Sequence, residues 1–219
     1  MSAIALGSGA GRISRVLCLG AHSDDIEIGC GGTVLELRRR RPRVEFRWVI
    51  FSAAGVRARE ARESARRFLG AGSEDAVKLF GFRDGFFPAQ FGEIKDALER
   101  VAREFHPDLV LTHTRDDRHQ DHRVLSDLTW NTFRRHLVLE YEVPKWDGDL
   151  GRPNCYVPLP AAVARRKARL LMQGFGSQRS KDWFSEETFL GLMRLRGVEC
   201  RAKGGYAESF MARKIALEL

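Results

Sequence analysis

The chain has 219 residues, enough for one domain with a sizeable core and too few for a second independent one. At 43% apolar and 30% charged, it has the composition of a globular protein, which excludes a disordered or fibrous chain. The formal net charge of +8 suits an acidic partner such as a phosphorylated sugar, an anionic lipid surface or nucleic acid, and charge does not choose among them.

In chain order, residues 1–14 mix Gly, Ser and Ala without periodicity and are expected to be a flexible lead-in to a single domain over 15–219. No leader pattern opens the chain and no apolar run approaches the roughly 20 residues that span a bilayer, so a cytoplasmic location is expected. A short apolar run over 16–19 predicts the first strand, and 33–40 the first helix. Between them, Gly29-Cys30-Gly31-Gly32 reads as a loop turning sharply into that helix. Its spacing is not that of a dinucleotide-binding fingerprint. The basic run Arg38 to Arg41 stops at Pro42, where cations favour a helix C-terminus.

Strands are then predicted over 44–51, 77–80, 109–112 and 138–143, and helices over 59–69, 94–104, 124–135, 161–171 and 186–195. This β-α-β-α order predicts parallel strands joined by right-handed crossovers: a Rossmann-like three-layer α/β/α sandwich with a mostly parallel sheet. Cys18, Cys30, Cys155 and Cys200 lie far apart and form no CxxC pair, which predicts reduced, packed thiols.

In such sheets, sites form where loops leave the carboxyl ends of strands. After the first strand comes Ala21-His22-Ser23-Asp24-Asp25, and after the fourth comes a loop ending His119-Gln120-Asp121-His122. Catalytic zinc takes three imidazole or carboxylate ligands and keeps one position open for water. His22 and Asp25 stand three apart with Asp24 between, so a turn can aim two of them at one ion and the third at its water. His119 and His122 repeat that spacing around Asp121. Either tetrad singly could be solvated loop surface; both at strand ends point to a metal site.

These residues resemble the two signatures of the PIG-L/LmbE-like deacetylases: Ala21-His22-Ser23-Asp24-Asp25 followed by Gly29-x-Gly31-Gly32-Thr33, and His119-Gln120-Asp121-His122. Arg57-x-x-Glu60, Gly81-Phe82-Arg83-Asp84-Gly85 and a closing Tyr206-Ala207-Glu208-Ser209-Phe210 are similar to further motifs of that family. The resemblance covers most of 15–127 and the short tail, and leaves about 138–200 without a motif. It implies an N-deacetylase with Zn2+, or another divalent metal, held by His22, Asp25 and His122, with Asp24 as general base. It also implies that Arg57 and Asp84 hold substrate hydroxyls, although an Arg at a helix start and an Asp in a Gly-flanked turn are also common for structural reasons. His119, one turn from His122, is the candidate donor to the oxyanion, with Asp121 orienting its imidazole. Either Asp24 or His119 could protonate the departing amine. His113 could line the same crevice or be a satisfied structural residue, and His106 and His136 are expected at the surface.

The implied substrates are N-acetylated sugars and glycoconjugates, among them glycolipid, glycosyl-inositol, aminoglycoside and glycopeptide intermediates. The basic balance favours an anionic one. Ser23 and Gln120 stand where the family commonly has Pro, and Ile26 where it often has an acid; these touch substrate subclass rather than reaction type. Arg165-Arg166-Lys167 could give a peripheral membrane or anionic-ligand surface, but charges flanking apolar residues at helical spacing favour a solvated helix face. A competing reading is a non-catalytic metal-bound glycan-binding or scaffolding protein of the same fold, whose closed site would have four protein ligands. Nucleic acid is not expected, for the charge is diffuse and no nucleic-acid-binding motif is present. An oligomer is compatible with the long C-terminal segment.

Overall fold

The computed structural model describes residues 13–215. Among these residues, seven strands form one sheet in the order β3-β2-β1-β4-β5-β7-β6. Five are parallel: β1 (Arg15–Gly20), β2 (Glu45–Ile50), β3 (Val77–Leu79), β4 (Leu109–His113) and β5 (Leu137–Tyr141). β7 (Tyr206–Met211) runs antiparallel to β5 and to the edge strand β6 (Cys155–Leu159). Helices α1 (Asp25–Arg40), α2 (Gly55–Leu69), α3 (Phe91–Glu104), α4 (Gln120–Thr132), α5 (Ala161–Gly174) and α6 (Glu186–Glu199) cover the two faces. The mostly parallel three-layer sandwich is as expected. Most of the predicted lead-in, residues 1–12, lies outside the described residues. Of its last two, Ile13 is buried and Ser14 donates its N–H to Asp108 Oδ2 at 2.7 Å.

β1 shows why the strands read as continuous apolar runs. Its side chains alternate between two cores, Val16 and Cys18 entering the one under α1, α2 and α5, Leu17 and Leu19 the one under α3 and α4. From β1 the sheet grows through β2 to β3 on one side and through β4 to β5 on the other, so the order reverses between β1 and β4. A crevice opens outside the carboxyl ends of strands at such a point. Cys18, Cys30 and Cys200 are buried, Cys155 is half-buried, and all four are free thiols. Among the described residues, no helix is long and apolar enough to cross a membrane.

Two expectations need correcting. α1 begins at Asp25, eight residues before the predicted start, and the glycines lie inside it rather than in a loop. Close packing requires them: a Cβ on Gly29 would stand 2.1 Å from Tyr141 Cδ2, one on Gly31 2.6 Å from Phe68 Cε1, and one on Gly32 2.6 Å from Leu159 Cδ1. Tyr141 cannot yield, being fully buried with its hydroxyl donated to Leu19 O at 2.6 Å. Gly29→Ala is therefore expected to destabilise the fold by about 1–3 kcal/mol, read as a lowered midpoint in denaturant unfolding; an unchanged midpoint would refute the packing argument. Second, Lys167 does not belong to a solvated face. Arg165 and Arg166 are exposed, but Lys167 is buried with its Nζ 2.6 Å from Glu208 Oε1.

Candidate active site and metal centre

The loop after β1 is folded back by its own groups. Asp25 Oδ2 accepts the His22 N–H at 2.6 Å, and His113, at the end of β4, accepts the Ala21 N–H at 3.0 Å through Nε2. Asp24 stands at the N-cap position of α1, without a side-chain capping hydrogen bond, and Asp25 is its first residue, where the helix dipole favours carboxylates. Across the switch point, His119 caps α4, its Nδ1 accepting the Asp121 N–H at 3.3 Å, and His122 sits in the first turn. Both ends thus deliver their side chains to one cavity, lined by His22, Asp24, Asp25, Arg57, His119 and His122 among others, with a volume of about 150 Å³.

Three atoms converge there. His22 Nδ1 lies 3.1 Å from His122 Nε2; Asp25 Oδ2 lies 3.4 Å from the former and 3.5 Å from the latter. Outer carboxylates fix both rings. His122 Nδ1 donates to Asp117 Oδ2 at 2.8 Å, and His22 Nε2 faces Asp121 Oδ2 at 3.1 Å and Asp84 Oδ1 at 3.2 Å. A carboxylate only accepts, so in the neutral rings both inward nitrogens present lone pairs to each other and to Asp25. A proton or a cation must lie between them. Atoms bonded to tetrahedral zinc at about 2.0–2.1 Å stand about 3.3–3.4 Å apart, so the observed triangle fits such an ion.

The electrostatics follow from burial and these contacts. Burial opposes protonation of His22, but the carboxylates of Asp25, Asp121 and Asp84 outweigh it and hold its pKa well above the usual histidine value. His122 is pushed down to about 4 by burial and by His113, whose ring is stacked 3.9 Å away. Asp25 stays ionised despite burial because His122, His113 and His22 surround it. Asp24 is raised, first by burial and then by the charge of Asp25, against the pull of Arg57. Asp84, by contrast, is lowered to about 2, chiefly by its hydrogen bond from His22.

All eight predicted site residues gather here, with one change of role. The Asp121 carboxylate does not orient His119. Its oxygens are taken by His22 and by the N–H groups of Gly85 at 2.7 Å and Phe87 at 3.0 Å, and only its backbone N–H reaches His119. The cause is local: the His119 ring folds over the α4 N-terminus, leaving the Asp121 carboxylate to face the turn at Gly85, whose φ of +80° suits glycine. Arg57 and Asp84 also have partners within the protein, Arg57 bridging Asp24 Oδ1 and Asp84 Oδ2 at 3.1 Å each. His113 is fully buried behind Asp25 and His122 and lines no part of the cavity. His106 is exposed and His136 half-buried.

Sequence reasoning missed Asp117, which orients His122, and Lys145, which pairs with Asp117 Oδ1 at 3.0 Å. An acid five residues before His122, on the loop that leads into α4, was the available signal for Asp117. It also missed the far wall of the cavity, formed by Val143, Lys145, Trp146, Asp147, Lys181 and Trp183.

Known proteins share this architecture. The N,N'-diacetylchitobiose deacetylase from Pyrococcus horikoshii superposes with a TM-score of 0.68 at 20% identity, over 90% of this chain and 83% of that one. GalB, the 4-carboxy-2-hydroxymuconate hydratase from Pseudomonas putida KT2440, superposes with a TM-score of 0.72 at 17% identity, over 94% and 99%. At such identities the likeness shows the fold, and two reaction names on one fold leave the chemistry to the site. In sequence, the uncharacterized deacetylase YaiS of Escherichia coli (strain K12) is 28% identical over 150 residues, 64% of this chain and 80% of that protein. The PIG-L family model, described as GlcNAc-PI de-N-acetylase, matches residues 17–133, and with more than half of its length so matched the chain belongs to the PIG-L family.

Proposed function

We propose that the chain removes an N-acetyl group from an amino-sugar-containing substrate, an anionic glycan or glycoconjugate precursor, in the cytoplasm and with zinc. Membership of the family makes it an N-deacetylase, a hydrolase of a linear amide bond. The observation that carries the mechanism is the triangle of His22 Nδ1, His122 Nε2 and Asp25 Oδ2 beside the Asp24 carboxylate. Two imidazoles and a carboxylate at tetrahedral edge lengths suit zinc better than a hard cation that seeks an all-oxygen shell. When bound there, the metal supplies Lewis acidity toward the acyl oxygen and a nucleophilic water at neutral pH.

The chain's own groups do the rest. Asp24, held by Arg57, accepts the proton of the attacking water. His119 accepts at Nδ1 from the Asp121 N–H, so its neutral ring carries the proton on Nε2 and can donate it to the developing oxyanion. Burial lowers the pKa of His119 and favours that neutral form. Protonated Asp24 then returns its proton to the departing amine.

One observation favours a second reading. The ring nitrogens of His22, His119 and His122 lie within 4.8 Å of one another, so His119 could close the site as a fourth ligand in a glycan-binding protein. Metal analysis together with acetate release from a panel of N-acetylated sugars separates the two. About one zinc per chain, with acetate release that stops on chelation and returns with zinc, is the expected result. Full metal content with no release from any sugar would establish the closed site, and metal-independent release would refute the mechanism.

A further inference from the structure

The cavity has two unlike walls. The metal-ligating wall comes from the part of the chain that the family model matches, whereas Val143, Lys145, Trp146, Asp147, Lys181 and Trp183 lie beyond residue 133. Trp146 is 67% exposed, yet it is held in place. Its Nε1 donates to Asp182 Oδ1 at 2.7 Å, and the same oxygen accepts the Trp183 N–H at 2.8 Å, so one carboxylate ties two loops together. The Trp146 and Trp183 rings meet edge to face with centroids 6.1 Å apart. A large indole fixed by a hydrogen bond at an open cavity mouth loses little conformational freedom on binding and offers an apolar face.

Charge lies beside it. Lys145 is committed to Asp117 and Asp149. Lys181 is not: its Nζ lies 5.4 Å from the centre of the Trp183 ring and, among the described residues, forms no ion pair. Arg57, which also lines the cavity, is occupied by Asp24 and Asp84. Lys181 is thus the cation at this mouth with capacity for a negative group brought by a ligand.

We propose that Trp146, Trp183 and Lys181 form a subsite for the unit attached to the amino sugar, a sugar ring that stacks on indole and carries a carboxylate or phosphate. The substrate class is then an N-acetylamino sugar glycoside with its negative charge one unit from the acetamide, rather than a free monosaccharide. This rests on the deacetylase reading and makes the far wall the part that chooses among substrates.

Four probes test it: N-acetylglucosamine, N-acetylglucosaminyl-glucose, N-acetylglucosaminyl-glucuronate and N-acetylglucosaminyl-glucose 6-phosphate. The readouts are acetate release and tryptophan fluorescence, for the natural chain and for Trp146→Ala, Trp183→Ala and Lys181→Met. In both tryptophan variants, the ratio of kcat/KM for the disaccharides over N-acetylglucosamine is expected to fall about tenfold, through KM. Lys181→Met should lower the preference for charged over neutral disaccharides about threefold to fivefold at low salt. Carboxylate and phosphate arms show which anion is read. Ratios unchanged in variants with native melting temperatures would overturn the subsite. If the natural chain releases acetate from no probe, the deacetylase reading fails and fluorescence decides the subsite. A Trp146-dependent change with disaccharides but not with N-acetylglucosamine upholds it, and no change overturns it.

Discussion

Asp24→Asn is expected to keep its metal and lose about 10²–10⁴-fold in kcat/KM, because it removes a proton acceptor and leaves the donor triangle intact. The proposed ligand atoms belong to His22, His122 and Asp25, and none of the hydrogen bonds or ion pairs among them uses the Asp24 carboxylate. Asparagine keeps the shape and can still meet Arg57, but it takes up no proton at neutral pH. The pH profile supplies a second test. A general base must be ionised, so activity falls as pH drops through its pKa. Within the protein, burial and the charge of Asp25 raise that pKa against the pull of Arg57, and a bound cation would lower it, so the acid limb belongs to Asp24. In Asp24→Asn that limb should vanish from the residual activity. A variant with full metal and near-natural rates would show that another group takes the proton; loss of metal would show that Asp24 is itself a ligand.

How much of this could be read beforehand depended on whether a residue's partner was near in sequence. β1 and β4 were legible because both faces are buried, which leaves an apolar run bounded by glycine or a charged loop. The site tetrads were legible because each lies within one turn of chain. The start of α1 was not. A helix glycine normally costs stability, so Gly29, Gly31 and Gly32 read as a loop, and the reason for them lies in Tyr141, Phe68 and Leu159, far along the chain. β6 was hidden by Pro158, which an edge strand tolerates because that strand pairs only with β7. The loops holding Trp146 and Trp183 gave no periodic signal, and they meet through Asp182 only in the folded chain. The family resemblance read from the motifs is borne out by the match over 17–133, which stops short of these loops.

Glu208→Ala is expected to destabilise the fold by about 3–5 kcal/mol, or roughly 6–20 °C in Tm for a chain of this size. The sequence marks Glu208 only as the centre of a motif, and the structure gives the reason for it. Its carboxylate lies inside β7 yet reaches the middle of α1, accepting the N–H of Gly32 at 2.7 Å and of Thr33 at 2.6 Å. Lys167 joins from α5, binding Glu208 Oε1 at 2.6 Å and the Ile28 carbonyl at 2.5 Å. Three elements thus meet at one buried ion pair, which supplies acceptors and a donor to the backbone of α1. Removing the carboxylate leaves an ammonium buried without its counter-charge and takes an acceptor from two N–H groups. Lys167→Met combined with Glu208→Leu tests that division. It removes the stranded charge, so it should be more stable than Glu208→Ala, but less stable than the natural chain because the α1 N–H groups still lack their acceptor. Were the double variant as unstable as Glu208→Ala, the buried charge would contribute nothing. Since α1 carries Asp24 and Asp25 at its start, Glu208→Ala should also lower metal content at temperatures below its unfolding transition. The tail strand would then hold the catalytic helix in place without touching the site.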